Sequence, residues 1–527
     1  MTRAVEIDEQ KINAIFREVD QCRLPGAAVG IAVGGRPVYR QGFGLASMEL
    51  PVILAPTMRM RIASMTKQFT ALAYLLLCEE GKAGIDDPIG QYLPELHPVA
   101  RNVTARQLLG HVSGLRDSHD ITHTFNGTGL PITSAQLLSL YRDIDDVSFA
   151  PGTAWSYNNG GYLMLSAAIE RMTGQSFDEV LRQRIFEPVG MHDTQLRRWD
   201  TDFLPNSATL HMTKEGGGFE RSYIGVEDMG EGGMVSTVDD MLRWLVHMDA
   251  PIVGSATTWQ AMKAPLSLSN GIATGYGFGL ITSEYRGVET LSHAGGLMGC
   301  NSHMLKVPAA GLDVVIMVNR HDVLGMSLTY RILDACLPGL DDVEAELQGP
   351  CATGIFQSAK TGRVIQLYAK EGKQMVVLQG AESQYVSDAE GVLHPIPEYR
   401  FFKYAVTLLG DRARPSSIRF SDFGSVDELA PLAPCRNADG SWIAGAYRSG
   451  TTGAQITISN DGDRPQMTSV GRYGSVRFSL ECLAEGVWKA KAMNALAWAG
   501  ILSFERDGAG FRFSTGRTPA LKFRRDA

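Results

Sequence analysis

The chain has 527 residues, 44% hydrophobic and 20% charged, with a formal net charge of −8 at pH 7. That length predicts roughly two to four domains, and the apolar content supplies ample core for a soluble globular protein. The negative balance, with no basic stripe, argues against a nucleic-acid partner and against an anionic membrane surface. The start, "MTRAVEIDEQKINAIFREVD", lacks the apolar core and cleavage site of a signal peptide. It predicts an amphipathic helix with Ile12, Ile15, Phe16 and Val19 on one face. No apolar run approaches the ~20 residues a membrane-crossing helix needs. Seven cysteines are scattered without CxxC pairs. Such a set suits a reducing cytoplasm and predicts neither a disulfide framework nor a zinc site.

"GAAVGIAVGGRPVYRQGFGLAS" (26–47) reads as a hairpin, two β-prone runs divided by Gly34-Gly35. "QFTALAYLLLCEEGK" is helical and ends near Gly81. "GGYLMLSAAIERMTG" (160–174) and "VDDMLRWLVHM" (238–248) are further helices, and "HMLKVPAAGLDVVIMVNR" (303–320) is two strands around a Pro/Gly turn. Together these predict an α+β domain, an antiparallel sheet flanked by helices, over 1–340.

Beyond "DACLPGLDD" (334–342) long helical patterns give way to short β runs punctuated by glycine. "GIFQSAKTGRVIQL" (354–367) repeats as "GAYRSGTTGAQITI" (445–458); Gly354 and Gly445, like Gly362 and Gly453, stand about 91 residues apart. The tail therefore predicts two tandem small β domains, 345–430 and 441–527, each a compact barrel or sandwich. "FSDFGSVDELAPLAPCRNADGS" (420–441) reads as their linker.

The chemistry-bearing stretch is "RIASMTKQF" (61–69), where Ser64 stands three places before Lys67. A serine needs a base within hydrogen-bond reach to act as a nucleophile, and residues i and i+3 share a helix face. A helix N-terminus would add unpaired N–H groups and a positive dipole end. S-x-x-K alone is weak, expected about once by chance in such a chain, and Ser64 could simply cap the helix. Two other segments strengthen it. "SYNNGGY" (156–162) sets Tyr157 and Asn159 in a polar loop before a helix, and "LSHAGGLMG" (291–299) sets His293, Gly295 and Gly296 at a strand edge. A phenol can relay protons, a side-chain amide can hold an acyl carbonyl, and a glycine-rich strand lets backbone N–H groups approach a substrate.

With "SMTK", "YNN" and "HAG" in this order, the chain resembles the penicillin-recognising serine hydrolases. That family comprises class C β-lactamases, D,D-peptidases, related esterases and D-aminopeptidases. "VTARQLLGHVSGLRD" (103–117), "FEPVGMHDT" (186–194) and "GEGGMVSTVDDMLRW" (230–244) also resemble family stretches. The resemblance implies an all-helical subdomain beside the sheet. It makes Ser64 the acylated nucleophile, with Lys67 and Tyr157 sharing the proton transfers and the choice of base left open. Asn159 would orient the substrate amide, and the N–H groups of Ser64 and Gly296 would form the oxyanion hole.

His293 replaces the lysine usual in β-lactamases and D,D-peptidases. Histidine is only partly charged near neutral pH, which argues against substrates bound through a free C-terminal carboxylate at that position. It is similar to the D-aminopeptidase branch, whose two C-terminal eight-stranded, lipocalin-like barrels match the tail. The resemblance also implies that a loop of the last barrel enters the active site. "KAKAMNALAWAG" (489–500) is the expected loop, with Trp498 as a substrate-binding residue. The leading expectation is a D-aminopeptidase-like serine hydrolase, with an esterase second and a non-catalytic, penicillin-binding-like sensor as the alternative class. No cofactor or metal is expected, because the eleven histidines form no HExxH pattern. The expected partners are a small-molecule or short-peptide substrate and, as an option, a second copy in a homodimer.

Overall fold

The computed structural model describes residues 3–342, 349–400, 402–433, 435, 440–460, 465–493, 499–505 and 507–526. Its centre is a six-stranded antiparallel sheet in the spatial order Ile281–Tyr285, Val288–Leu297, Cys300–Val307, Leu312–Val318, Ala27–Val33, Arg36–Phe43. Successive strand residues face opposite sides, so one strand feeds two cores. Val29 and Ile31, with Val314 and Ile316, face a cluster completed by Ile12, Ile15, Phe16 and Val19 from the first helix and by Leu328, Ile332 and Leu333 of helix Gly325–Cys336. Ala28 and Ala32, with Val315 and Met317, face the larger cluster. The first helix itself spans only Glu9–Ile15, capped by Asp8, and Phe16 reaches the core by stacking on Phe43 at 4.5 Å.

Helix Lys67–Glu79 lies inside the larger cluster. It is apolar nearly all round, as a helix packed on every side must be. Phe69 stacks on Trp244 of helix Val238–His247 at 4.2 Å, and the Trp244 indole donates to Gln68 Oε1 at 2.6 Å. These contacts fix the rotation of the helix that begins just after Ser64. Short helices, among them Ser118–Asn126 and Ser134–Leu140, cluster with helix Asn159–Thr173 on one side of the sheet. Among the described residues no helix is long and apolar enough to cross a membrane.

Two closed eight-stranded antiparallel barrels follow, Gly354–Gln357 through Ser425–Pro431 and Gly445–Arg448 through Leu521–Arg525. The sequence repeat is a repeat of one hairpin turn. Gly362 N–H donates to Ser358 O at 3.0 Å and Gly453 N–H to Ser449 O at 2.9 Å. Both glycines are left-handed, with φ of 75° and 69°. The segment 420–441 is not the linker that its polar composition suggests. Pro415–Asp422 and Ser425–Pro431 are the last hairpin of the first barrel, turned by Phe423 and Gly424 with φ of 46° and 78°. Its outward face is polar because barrel strands alternate, which composition alone reads as loop.

The cysteine expectation is also corrected, since Cys435 and Cys482 form a disulfide. They stand 47 residues apart in sequence, and barrel closure brings the segment before the second barrel against its strand Ser475–Ala484. Such bonds are rare in reducing compartments, so this one counts against the cytoplasmic expectation.

Both barrels dock on the first domain. Ser469 Oγ of the second barrel donates to Phe125 O at 3.0 Å, and Tyr473 N–H to Asn126 Oδ1 at 2.6 Å. Phe423 and Phe402 of the first barrel pack on Trp155 at 5.4 and 5.8 Å between ring centres.

Candidate active site

Ser64 sits where strand Met60–Arg61 turns into helix Lys67–Glu79. Ala63, with φ of 49°, takes a left-handed conformation that is unfavourable for a residue bearing a Cβ. A single 3-10 turn, Ala63–Thr66, then carries Ser64 toward Lys67. No side chain caps this turn or the helix, so Ser64 is not serving as an N-cap. Lys67 is fully buried, and its Nζ lies 3.1 Å from Ser64 Oγ, 2.8 Å from Asn159 Oδ1 and 2.6 Å from Glu231 O. Burial lowers its pKa to about 7, against the pull of Glu231, and Arg517 lowers it further. Near neutral pH much of Lys67 is therefore the free amine. It then has two N–H groups for Asn159 and Glu231 and a lone pair for the Ser64 hydroxyl.

The Tyr157 ring lies beside this amine, with Nζ 4.7 Å from its centre. Its hydroxyl is buried without a hydrogen-bond partner among the described residues. Burial pushes the phenol pKa up, and the nearby Ser64 hydroxyl pulls it partly back, so Tyr157 stays protonated. His111 supports the ring from behind at 4.2 Å between centres, and its Nδ1 accepts from Asn158 N–H at 3.1 Å. Asn158 in turn caps helix Asn159–Thr173 through Gly161 N–H. Asp117 joins the two helix starts, accepting from His119 N–H on one and from Asn159 and Gly160 N–H on the other.

His293 is buried on strand Val288–Leu297. Ala294 O can only accept, so Nδ1 carries the proton shared with it at 2.6 Å, and Nε2 accepts from the Tyr276 hydroxyl at 2.9 Å. Burial, and then the Lys67 charge, hold its pKa at about 3, so this histidine is neutral. Strand Ile281–Tyr285 pairs only as far as Ser292, which leaves one edge of His293–Leu297 without a strand partner. A Cβ on Gly295 would lie 2.1 Å from Ile62 O and 2.3 Å from Ser302 Oγ, so only glycine lets this strand lie against the Ser64 turn. Gly296, next along, has open space where its Cβ would be.

Ser64, Lys67, Tyr157, Asn159, His293 and Gly295 are thus gathered around one point. Trp498 lies outside the described residues. A different loop of the last barrel, between strands Gly510–Ser514 and Leu521–Arg525, meets the site. Its Thr515 Oγ1 donates to Asp120 Oδ2 at 2.6 Å, and its Arg517 guanidinium carbon stands 5.1 Å from the Tyr157 ring centre.

Sequence reasoning singled out neither Arg517 nor His111, Asp117, Tyr276 and Glu231. A signal existed for Glu231, an acid set among glycines in "MGEGGM", and for His111 and Asp117, which open and close "HVSGLRD". Arg517 had none. Among the described residues one group could hold a metal: His119, Asp228 and Glu231 bring a nitrogen and two carboxylates within 4.8 Å of one another behind Lys67. A fixed cation, Arg61, already stands beside this group. His119 Nε2 lies 3.3 Å from Glu231 Oε1, and Arg61, paired with Asp200 at 2.8 Å, stands 4.0 Å from Asp228.

The family model described as Beta-lactamase matches residues 12–337. The D-aminopeptidase of Gluconobacter oxydans (strain 621H) is 28% identical over 498 residues, 92% of each chain. The D-aminopeptidase of Brucella anthropi is 31% identical over 324 residues, 60% of each chain. The octameric penicillin-binding protein homologue from Pyrococcus abyssi, 19% identical, has a TM-score of 0.57 over 98% of this chain and 100% of that one. The D-amino acid amidase from Ochrobactrum anthropi SV3, complexed with L-phenylalanine, is 23% identical with a TM-score of 0.53 over 62% and 98%. These structural likenesses concern the fold.

Proposed function

Because the chain belongs to the Beta-lactamase family, we propose that it is a serine hydrolase that cleaves amide bonds through an acyl-enzyme, with D-aminopeptidase-like specificity. The observation that carries this reading is the buried Lys67 amine 3.1 Å from Ser64 Oγ. Neutral Lys67 takes the Ser64 proton as Oγ bonds to the substrate carbonyl carbon. The N–H groups of Ser64 and Gly296 receive the oxyanion, and Asn159 orients the amide. The C–N bond then breaks, and Tyr157, kept protonated by burial, passes a proton to the departing nitrogen and regains one from Lys67. Water hydrolyses the ester and frees Ser64. His293 has both nitrogens engaged, so its role is positioning: it holds Tyr276 and the strand edge rather than moving protons.

D-aminopeptidase-like specificity is supported by the relative that matches 92% of the chain, both barrels included. The test is a panel of p-nitroanilides and p-nitrophenyl esters with D- and L-aminoacyl groups, free and N-blocked. Free-amine D-anilides should exceed their L-counterparts by at least about tenfold in kcat/KM. Turnover of esters alone would make the protein an esterase. No turnover, with no fluorophosphonate adduct on Ser64, would make it a sensor.

Gly295 provides a second check. In Gly295→Ala the strand must move off Ile62 O, and displacements of about 1 Å at a reacting centre cost about 100-fold. Steady-state kinetics should show a loss of at least that size in kcat/KM.

A further inference from the structure

We propose that Arg517, carried to the catalytic mouth by the last barrel, binds a carboxylate on the leaving-group side of the substrate, so that short peptides with a free C-terminal carboxylate are preferred. This rests on the acyl-enzyme reading above.

The loop is built to hold one side chain in place. Within it, Thr518 N–H and Arg517 N–H donate to Thr515 Oγ1 at 2.9 and 3.3 Å, and Ala520 N–H donates to Ser514 Oγ at 2.9 Å. Two anchors to the catalytic domain bracket Arg517: Thr515 to Asp120, and Pro519 O to Arg116 Nη1 at 3.0 Å. Arg116 is itself fixed by a two-point pairing with Asp146.

The guanidinium held this way is under-used. Its closest acid is Asp117, at 3.6 Å, and the Asp117 oxygens already serve backbone N–H groups of two helices. Among the described residues the guanidinium donates no hydrogen bond, although its side chain is only 37% exposed. Guanidinium forks match carboxylates in geometry and charge. An ammonium would meet repulsion here. The nearby histidines supply no positive charge, since burial keeps His293 and His111 neutral. Arg517 therefore offers, from another domain, the cation that His293 does not.

Its place on the Tyr157 ring sets the side of the substrate it reads. Tyr157 faces the departing nitrogen in the proposed reaction, and in a dipeptide the C-terminal carboxylate is two bonds from that nitrogen. A carboxamide or a longer chain puts no charge there.

The test compares D-alanylglycine with D-alanylglycinamide on the full-length protein, with Ser64 acylation by p-nitrophenyl acetate followed in parallel by mass spectrometry. Wild type should favour the acid at least tenfold in kcat/KM. Arg517→Gln should bring that ratio close to one, and Arg517→Lys should keep part of it. A wild-type ratio below about two, or one that Arg517→Gln leaves intact, overturns the proposal. Ester acylation of Ser64 with neither peptide cleaved overturns it while acyl transfer stands. No acylation of Ser64 by any substrate removes the hydrolase reading and this proposal with it.

Discussion

Ser64→Ala is expected to lower kcat/KM by at least about 10⁴-fold, because no other group then stands at the point where Lys67 can receive a proton from a nucleophile. The fold should survive. Ser64 Oγ contributes one hydrogen bond, to Lys67, and Lys67 keeps Asn159 and Glu231 as partners. A net loss of about 1 kcal/mol moves a melting temperature by about 1–2 °C in a domain of about 340 residues. Kinetics paired with a thermal melt check both halves. Hydrolysis retained above about 1% of wild type, in a variant free of contaminating activity, would remove Ser64 from the mechanism.

Lys67→Met should be nearly as damaging, by about 10³-fold or more, for a different reason: the nucleophile remains and its base is gone. Methionine fills a similar volume, and removing a buried amine relieves its desolvation while leaving the Asn159 and Glu231 acceptors unmet. These effects oppose each other, so stability should change by no more than about 2 kcal/mol. The same amine sets the pH profile of the wild type. Its pKa is lowered to about 7 by burial, so protonation disarms it on the acid side. The rate should rise through pH 7 and level off above it. A profile flat from pH 5 to 8 would assign the base to another group.

Much of the first domain was legible because its signals are local. The 26–47 hairpin, the helix after Ser64 and the strand pair around Pro308 follow from alternation, helical spacing and turn residues read over fewer than about twenty positions. The S-x-x-K spacing belongs to the same class, since one turn of helix brings Ser64 and Lys67 together whatever the rest of the chain does. The barrel repeat was legible because both copies need the same left-handed glycines, Gly362 and Gly453, to turn the same hairpin. The 420–441 segment misled for a related reason. A barrel strand with one polar face resembles a linker until its partners are known.

From its residues alone, the chain determined an α+β domain with two β domains behind it, and a serine beside an amine at a helix start. Folding decided what surrounds that pair. Thr515 meets Asp120 from 395 positions away, and Cys482 meets Cys435 only after a barrel closes. The neutrality of His293 and the lowered pKa of Lys67 follow from burial. Spacing along a chain encodes contacts within a helical turn or a hairpin. Desolvation and the docking of one domain on another depend on surfaces assembled from distant segments, and those exist only in the folded protein.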